Sequence, residues 1–341
     1  MTAAAERIVI LLPNWFGEAL FATPALRALH DAAPAAQLSV MGPPRALEAL
    51  AHHPIIGEAL PFDERGAQRE LEERQQTIRL LRRNRFDTAI ILRRSFTRTW
   101  LVVKAGVPRR IGVDNWKSGW LLTARIPAPR SPMHKADAYI GLLAPWGVAA
   151  RTGAYELHLD DGERAWARRW MAAHALEGRH PLVVLHPGAN WEHKRWPPER
   201  FADAAGRLAA SGAALLVTGG PDDAPLVRAI ADRVPAAVNA AGKTTFRQLA
   251  SLMARADLVI AADTGVLHAA SALGRRVVAL YGPTSPALTG PLGHPDLTTV
   301  LHHPECCPRI PCYQPHHPAY PGMASISVDE VVDAARRLLA P

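Results

Sequence analysis

Cysteine and long hydrophobic runs are scarce in this sequence. Its 341 residues include three cysteines, Cys306, Cys307 and Cys312, all in one short segment. An odd number of crowded cysteines does not build a disulfide framework, which predicts reduced thiols. No apolar run approaches the roughly 18 residues of a membrane-spanning helix, and the N-terminus lacks the basic segment and cleavage site of a secretion signal. These absences predict a cytoplasmic protein.

Three common catalytic signatures are also missing from the sequence. There is no Walker lysine motif and no G-x-G-x-x-G loop after a strand, which argues against a P-loop ATPase and a standard NAD enzyme. There is no G-x-S-x-G elbow of the serine hydrolases. A nucleotide site in this chain must therefore be built from other loops.

Acidic residues are fewest, relative to basic ones, in the first half of the chain. Residues 1–150 contain 20 Lys and Arg against 13 Asp and Glu, whereas residues 151–341 contain 19 against 18. Most of the excess falls between Arg79 and Arg110, where Asp87 is the single acid. This run is either a solvated helix face with loops or a surface for an anionic partner. Few aromatic residues interleave with it, which argues against nucleic acid.

Length and composition predict two globular domains, at about 100–200 residues each. Apolar residues make up 48% and charged residues 21%, as is typical of globular proteins. Short apolar strands alternate with helical segments, the pattern of parallel α/β units. The first half predicts strands near 7–12, 37–41 and 87–92, helices near 18–31, 44–52 and 68–84 and, after a loop-rich basic stretch, a helix around 135–146.

The same alternation restarts in the second half. A helix opened by Asp160 or Asp161 and closed near Gly178 marks the domain boundary. A terminal helix is expected to be N-capped by Ser327 and to pack back toward the N-terminal domain. The predicted fold class is α/β, with two doubly wound domains in tandem. The boundaries are 1–160 for the first domain, 161–180 for a linker helix, 181–325 for the second domain and 326–341 for the terminal helix.

Loops that follow strands are the candidate binding site, because open parallel sheets bind ligands outside the carboxyl ends of their strands. One such loop is HPGANWEHKRWPPERF, residues 186–201. Gly188 permits a close approach to the backbone, and Lys194 and Arg195 place cations ahead of a helix N-terminus. This arrangement suits a diphosphate. The alternative is a surface turn with ordinary solvated cations.

A second loop is AADTGVLHAASALG, residues 261–274. Asp263 ends a strand and either caps the next helix or accepts from sugar hydroxyls, and Thr264 and Gly265 face the same crevice. His268 follows Thr264 by four residues and so lies on nearly the same helix face. A lone helical histidine is, however, more often a packed core residue.

Two further loops complete the predicted donor side. LYGPTSP, residues 280–286, offers Gly282 and Thr284 to a phosphate. TGGPDD, residues 218–223, offers a glycine pair and acids such as Asp222 to a nucleoside. An ordinary turn between a strand and a helix has the same composition.

A candidate catalytic carboxylate follows the first predicted strand of the chain. In RIVILLPNWFGEALFATPALRAL, residues 7–29, an apolar strand ends in a loop and Glu18 follows a glycine directly. A carboxylate in this place is either a general base or a first-turn acid that interacts favourably with its helix dipole.

Three segments taken together resemble the heptosyltransferases of glycosyltransferase family 9: LLPNWFGEALFATPALRAL, HPGANWEHKRWPPERFADAA and ADTGVLHAASALGRRVVALYGPTSP. The resemblance covers nearly the whole chain. It implies a GT-B fold, in which an acceptor-binding N-terminal domain and a nucleotide-sugar-binding C-terminal domain face each other across a cleft. It also implies inverting, metal-independent transfer of heptose from ADP-heptose to the Kdo/heptose–lipid A inner core of lipopolysaccharide, with no cofactor besides the donor.

The resemblance also implies roles for individual residues. Glu18 occupies the place of the family's proposed catalytic base, which is usually Asp, and Lys194 matches its basic residue beside the diphosphate. The D-T-G-x-x-H motif falls on 263–268. The predicted donor-binding residues are Gly188, Arg195, Asp222, Asp263, Thr264, Gly265, His268, Gly282 and Thr284. The predicted acceptor-binding residues are Asn14, Arg93, Arg94 and Arg98.

This interpretation gives the basic first half a purpose, since such an acceptor carries carboxylates and lipid phosphates at a membrane surface. We predict a cytoplasmic enzyme that lies peripherally on the cytoplasmic face of the inner membrane, without a nucleic-acid partner. The alternatives are a family-9-like transferase that uses another nucleotide sugar and a non-catalytic nucleotide-sugar-binding protein.

The cysteine segment HHPECCPRIPCYQPHHPAYPGM invites a metal interpretation, with Cys306, Cys307, Cys312 and His316 or His317 as ligands. Its spacing fits no standard zinc pattern, and adjacent cysteines seldom bind one ion together. We expect a proline-stiffened surface loop without metal.

Overall fold

The apolar segments of the chain form two parallel sheets, each in a unit of its own. The protein is described by a computed structural model that covers residues 5–64, 66, 70–149, 153–306, 310–312 and 322–340. The two units are Met1–His158 and Leu159–Pro341. Each contains a six-stranded sheet, and every strand pairing in both sheets is parallel.

The first unit alternates strands and helices. Its strands are β1 (Arg7–Leu11), β2 (Gln37–Gly42), β3 (Ile56–Pro61), β4 (Thr88–Ile91), β5 (Arg109–Val113) and β6 (Ala124–Ile126). Its helices are α1 (Phe16–Leu20), α2 (Thr23–Ala32), α3 (Pro44–Ala49), α4 (Leu71–Asn84), α5 (Phe96–Lys104) and α6 (Lys135–Gly141). The strand order is β3-β2-β1-β4-β5-β6. The order reverses between β1 and β4, so the loops after these two strands flank the switch point at which doubly wound sheets bind ligands.

The second unit repeats this plan. Its strands are β7 (Leu182–His186), β8 (Ala214–Val217), β9 (Ala237–Asn239), β10 (Leu258–Ala262), β11 (Arg276–Tyr281) and β12 (Thr298–His302). Its helices are α7 (Asp161–Ala173), α8 (Pro198–Ala210), α9 (Ala224–Ala231), α10 (Phe246–Met253), α11 (Gly265–Ala272), α12 (Pro286–Thr289), α13 (Gly322–Ser325) and α14 (Val328–Leu339). The strand order is β12-β11-β10-β7-β8-β9, with its switch point between β7 and β10.

The central strands of both sheets are buried on their two faces, which explains their uninterrupted apolar sequences. The five residues of β7 and the five of β10 are all buried. In the second core Trp196 and Phe201 are fully buried and meet edge to face at 4.9 Å between ring centroids. The Trp196 indole N–H donates to the Ile326 carbonyl at 3.0 Å. This anchor fixes the end of the loop between β7 and α8.

Two helix starts agree with their predicted caps. Asp160 opens α7 in a capping box with Glu163, and Ser327 opens α14 in a capping box with Glu330. Helix α7 ends at Ala173, whereas the sequence predicted an end near Gly178. The apolar face of α14, which includes Val331 and Val332, is buried in the core of the second unit. The expectation that this helix also packs back toward the N-terminal domain stays a prediction.

The first unit contains more regular structure than the sequence pattern predicts. The helix expected over 18–31 is divided into α1 and α2, because Pro24 lies in the first turn of α2 and the Thr23 hydroxyl donates to the Leu20 carbonyl at 2.7 Å. The stretch taken as loop-rich contains α5, β5 and β6, and β3 was not predicted. These strands have short or charged sequences, which hide their pattern. No helix among the described residues is long and apolar enough to cross a membrane.

Candidate functional site

The switch point of the second unit brings a lysine and an aspartate together. Lys194 Nζ lies 2.9 Å from Asp263 Oδ2, although the lysine follows β7 and the aspartate ends β10. The Asp263 side chain is 7% exposed. Burial opposes its ionisation, but the hydrogen bond from His268 and the charge of Lys194 outweigh burial and hold the pKa of this carboxyl well below its usual range. The site therefore contains a fixed carboxylate that neutralises and positions the lysine.

His268 belongs to this arrangement and is not merely a core residue. Its Nε2 lies 3.3 Å from Asp263 Oδ1, and its side chain is 5% exposed. The Tyr281 hydroxyl donates to the Thr289 carbonyl at 3.0 Å and lies 3.4 Å from the same Oδ1. The N-cap of α11 is Thr264, so Asp263 does not cap this helix as one interpretation of the sequence proposed. Its oxygens are occupied by Lys194 and His268.

Replacement of Asp263 by Ala is expected to cost about 3 kcal/mol in the free energy of unfolding, because it leaves a largely buried ammonium without its partner. The folded pKa of this carboxyl is depressed, so its contribution is complete above an unfolded pKa of about 3.9 and is lost as the pH falls through the folded value. The difference in unfolding free energy between Asp263→Ala and the parent protein should therefore become smaller below about pH 4. Urea denaturation at several pH values measures this, with Asp296→Ala on the surface as the control. An equal loss in both variants would contradict the prediction.

The loop after β7 is fitted around an aspartate from the loop after β8. Asp223 accepts from Arg195 Nη2 at 3.2 Å and from the Gly220 backbone N–H at 3.0 Å. A Cβ on Gly188 would lie 2.2 Å from Asp223 Oδ2. Asp222, the neighbour predicted to bind donor, is exposed, and Asp223 makes these contacts instead. Sequence reasoning did not separate adjacent acids, because which one faces inward depends on the turn between them.

Replacement of Gly188 by Ala is expected to weaken the binding of the diphosphate that the sequence predicts for this loop about tenfold, which corresponds to about 1.4 kcal/mol of strain. The added methyl group must displace Asp223 and with it the hydrogen bond to Arg195. Calorimetric titration with ADP measures the effect. Gly206→Ala in α8 is the matched control, because a Cβ there meets nothing within 4 Å. Equal affinity of the two variants would show that the close approach is unimportant.

Two hydroxyl groups at this edge have no partner among the described residues. Thr264 Oγ1 and Thr284 Oγ1 are buried, and neither makes a hydrogen bond within the described ranges. The backbone N–H groups of the first turn of α11, from Gly265 onward, start at the same place. Unpaired hydroxyls and free N–H groups together are suited to an anionic or polyhydroxylic ligand. Gly282 has a packing role, since a Cβ there would lie 2.6 Å from Met323 Cγ.

His186 is a site residue that sequence reasoning missed. It ends β7 and is buried, and its Nδ1 lies 3.0 Å from the Thr218 hydroxyl. Burial lowers the pKa of His186 to about 4, so the ring is neutral at neutral pH. The available signal was its position as the last residue of an apolar strand, directly before Pro187 and Gly188.

The switch point of the first unit carries Glu18. This residue lies in the first turn of α1, and Lys135 Nζ contacts its Oε1 at 2.6 Å. The side chain of Glu18 is 29% exposed and that of Lys135 39%. Lys135, at the start of α6, was not singled out from the sequence, because 117 residues separate it from its partner. A carboxylate held this way remains accessible on one side.

The residues predicted to bind acceptor divide into two groups. Arg98 is buried, with its guanidinium bound to the Leu12 carbonyl and the Asn14 carboxamide. Burial lowers the pKa of Arg98, and Glu64 lies 3.7 Å from its Nε. Arg98 and the buried Asn14 therefore brace the loop after β1. Arg93 and Arg94 follow β4, and Arg94 is exposed while Arg93 is partly exposed, so these two remain available to a ligand.

The predicted cysteine loop is only partly described. Cys312 is buried and has a free thiol, which differs from a fully exposed loop. Cys307, His316 and His317 lie outside the described residues.

The chain is similar to known glycosyltransferases along most of its length. A sequence profile of glycosyltransferase family 9 (heptosyltransferase) matches residues 74–315. Lipopolysaccharide heptosyltransferase 2 of Escherichia coli K12 is 28% identical over 309 residues, which cover 84% of this chain and 86% of the relative. Lipooligosaccharide heptosyltransferase 2 of Haemophilus influenzae is 28% identical over 310 residues, covering 86% and 88%.

Solved structures extend this similarity to the fold. A glycosyltransferase family 9 protein of Veillonella parvula superposes with a TM-score of 0.88 at 26% identity, covering 99% of this chain and 98% of that one. Heptosyltransferase II of E. coli superposes with a TM-score of 0.81 at 25% identity, covering 98% of both chains. An E. coli heptosyltransferase solved with ADP has a TM-score of 0.76 at 18% identity and covers 97% of this chain and 99% of its own, which supports the fold alone.

Proposed function

Since the chain belongs to glycosyltransferase family 9, we propose that it transfers heptose from ADP-heptose to the inner core of lipopolysaccharide, with inversion and without a catalytic metal. Its fold is of the GT-B type, with two parallel six-stranded sheets, and this confirms the predicted fold class. The prediction of a glycosyltransferase is confirmed as well. The observation that carries the proposed reaction is Lys194, fixed by buried Asp263 at the switch point of the second unit.

In this proposal the second unit binds the donor. Lys194 and Arg195 lie beside the diphosphate, and Thr264, Thr284 and the first N–H groups of α11 donate to its oxygens. As the bond to the sugar breaks, charge develops on ADP. Preorganised donors that face this charge stabilise the transition state and supply what a divalent cation supplies in other transferases.

Glu18 is the proposed catalytic base. It accepts the proton of the acceptor hydroxyl as that oxygen attacks the anomeric carbon, while the bond to ADP breaks on the opposite face. The bond breaks and forms in a single displacement, which inverts the anomeric configuration. Lys135 holds one carboxylate oxygen at 2.6 Å and leaves the other available to the proton. Arg93 and Arg94 are proposed to contact the anionic acceptor.

An aromatic and basic surface of the first unit is proposed to contact the cytoplasmic face of the inner membrane. We define this surface as Phe96, Trp116, Lys117 and Trp120. Trp116 is 86% exposed and Trp120 is 64% exposed, and Lys117 Nζ lies 5.1 Å from the Trp116 ring centroid. Tryptophan and lysine side by side suit the boundary between anionic headgroups and acyl chains. The protein would then bind its lipid-linked acceptor at the membrane in which the lipid of the acceptor is embedded.

The double replacement of Trp116 and Trp120 by Ala is expected to weaken binding to anionic vesicles at least about tenfold, since each indole loses more than about 1 kcal/mol of apolar burial. Co-sedimentation with phosphatidylglycerol vesicles measures this. Leu71→Ala is the control, because Leu71 is also exposed but lies outside the aromatic and basic surface. Unchanged sedimentation of the double variant would exclude this surface as the contact.

The proposed function is tested by incubating the purified chain with ADP-heptose and a heptose-deficient lipid acceptor. Acceptor-dependent release of ADP, a gain of one heptose in mass and an inverted anomeric configuration by NMR would support it. Transfer that persists at the same rate in EDTA would support a metal-independent step. Transfer only from another nucleotide sugar would favour the related transferase, and binding without any transfer would favour a binding protein.

A further inference from the structure

A second cluster of polar side chains lies in the first unit and includes none of the site residues described above. His53 follows α3, and Glu156 and His158 lie on the irregular segment that ends the unit. The His158 Nε2 lies 3.2 Å from Glu156 Oε2, and the His53 Nε2 lies 3.5 Å from the same oxygen. The two imidazole ring centroids are 4.7 Å apart.

His53 lacks a partner that its burial requires. Its side chain is 1% exposed, and neither ring nitrogen makes a hydrogen bond with any residue that the structure describes. An unsatisfied buried polar group costs about 1–3 kcal/mol. In a neutral imidazole one of the two ring nitrogens presents a lone pair. A partner from outside the chain would satisfy this nitrogen.

The carboxylate between the two histidines is held in a fixed orientation. Arg27 donates from Nε to Glu156 Oε1 at 3.0 Å and from Nη2 to Oε2 at 2.8 Å. The hydrogen bond from Arg27 lowers the pKa of Glu156, although burial opposes this. Arg27 is 39% exposed, so Nη2 can turn toward solvent and release Oε2 while Nε keeps Oε1. His158 is 35% exposed, which gives an ion and a water molecule access from solvent.

We propose that His53, Glu156 and His158 bind a divalent transition-metal ion of the zinc type, through His53 Nε2, His158 Nε2 and Glu156 Oε2. Two imidazoles and one carboxylate are a zinc ligand set, with water in the fourth position. Bonds of about 2.0–2.1 Å in a tetrahedron place neighbouring ligand atoms about 3.3 Å apart. The two nitrogen-to-oxygen separations, 3.2 and 3.5 Å, match this value, and the three ligand atoms lie within 4.8 Å of one another. Small side-chain movements close the remaining gap.

The ion would fasten the end of the first unit to its helices. The Glu156 backbone N–H donates to the Thr23 hydroxyl at 2.9 Å, and this hydroxyl donates to the Leu20 carbonyl, which ends α1. Metal binding would therefore stabilise the segment on which the junction of α1 and α2 rests. This inference depends only on the cluster and is independent of the proposed transfer reaction.

The test uses the full chain with Cys306, Cys307 and Cys312 changed to Ser, so that thiols do not compete for the metal. After chelator treatment and dialysis, zinc alone is titrated in competition with a chromogenic chelator. We expect one ion per chain, and His158→Ala should weaken binding by at least about 100-fold, since even partners outside the ligand set cost about 10–100-fold. His294→Ala, an exposed histidine of the second unit, is the control and should bind as the parent does.

Two further measurements keep the test decisive if the serine variant folds poorly. Zinc should raise the melting temperature of the wild-type chain but not that of His158→Ala, because a ligand that binds only the folded state stabilises it. Cobalt bound to the wild-type chain should show a spectrum without thiolate charge-transfer absorption. The proposal is overturned if zinc does not saturate any site, if His158→Ala binds as tightly as the parent, or if the cobalt spectrum shows thiolate ligands.

Discussion

Replacement of Glu18 by Gln is expected to lower kcat about 10³-fold, within the range of 10²–10⁴ that a positioned general base contributes. Glutamine has the same shape and still accepts from Lys135 through its carbonyl oxygen, so α1 and its loop should remain in place. The amide does not accept the proton of the acceptor hydroxyl. Donor binding should therefore change by less than about twofold, since the base acts only on the acceptor. Acceptor-dependent ADP release and calorimetry with ADP measure the two quantities.

Two further variants identify the role of this carboxylate. Glu18→Asp keeps a carboxylate at this position and should retain transfer within about tenfold, because the ionisable group is preserved. Glu58→Gln on the edge strand β3 is the matched control, since Glu58 is exposed, and it should leave kcat unchanged. If Glu18→Gln transferred heptose at the parent rate, Glu18 would be only a favourable first-turn acid.

Replacement of Lys194 by Met is expected to lower kcat about 10²–10³-fold, because the cation that we propose to face the departing diphosphate is lost. Methionine keeps much of the length of the side chain but not its charge. The variant also leaves Asp263 buried without its ion pair, so part of the effect is a loss of stability. Steady-state kinetics at saturating donor, combined with the melting temperature, separate the two contributions.

Lys194→Arg and Lys243→Met complete this experiment. Arginine retains the charge and should preserve the fold and part of the activity, although its planar group does not reproduce the geometry of an ammonium. Lys243 is exposed and its ammonium donates to the Asn239 carbonyl at 2.8 Å, so its loss should leave kcat unchanged. A normal kcat in Lys194→Met with a normal melting temperature would exclude Lys194 from transition-state stabilisation.

Much of the candidate site in the second unit was predictable because its residues are close in sequence. Asp263, Thr264, Gly265 and His268 follow one strand, and the spacing of a helix alone places His268 over the start of α11. The elements that were missed are those with weak local patterns. β3 is mostly exposed, and β5 contains two arginines, so neither shows the continuous apolar run by which the central strands were found.

The candidate acceptor side shows the opposite case. Arg98 and Arg93 look alike in a basic run, yet Arg98 is buried and binds the loop after β1 while Arg93 is partly exposed. The difference arises because α5 turns Arg98 toward the sheet. A helical face of this kind is defined only once the neighbouring strand is in place.

The sequence by itself determined the alternation of strands and helices, the two doubly wound domains and the loops that carry the site. These features depend on hydrophobic periodicity and on residues within one turn of each other. Only the tertiary structure decided that Lys135 contacts Glu18, that Asp223 and not Asp222 binds Arg195, and that His53 meets Glu156 and His158. Each of these contacts joins distant parts of the chain. Their geometry is fixed by the order and register of parallel strands, which local spacing does not encode.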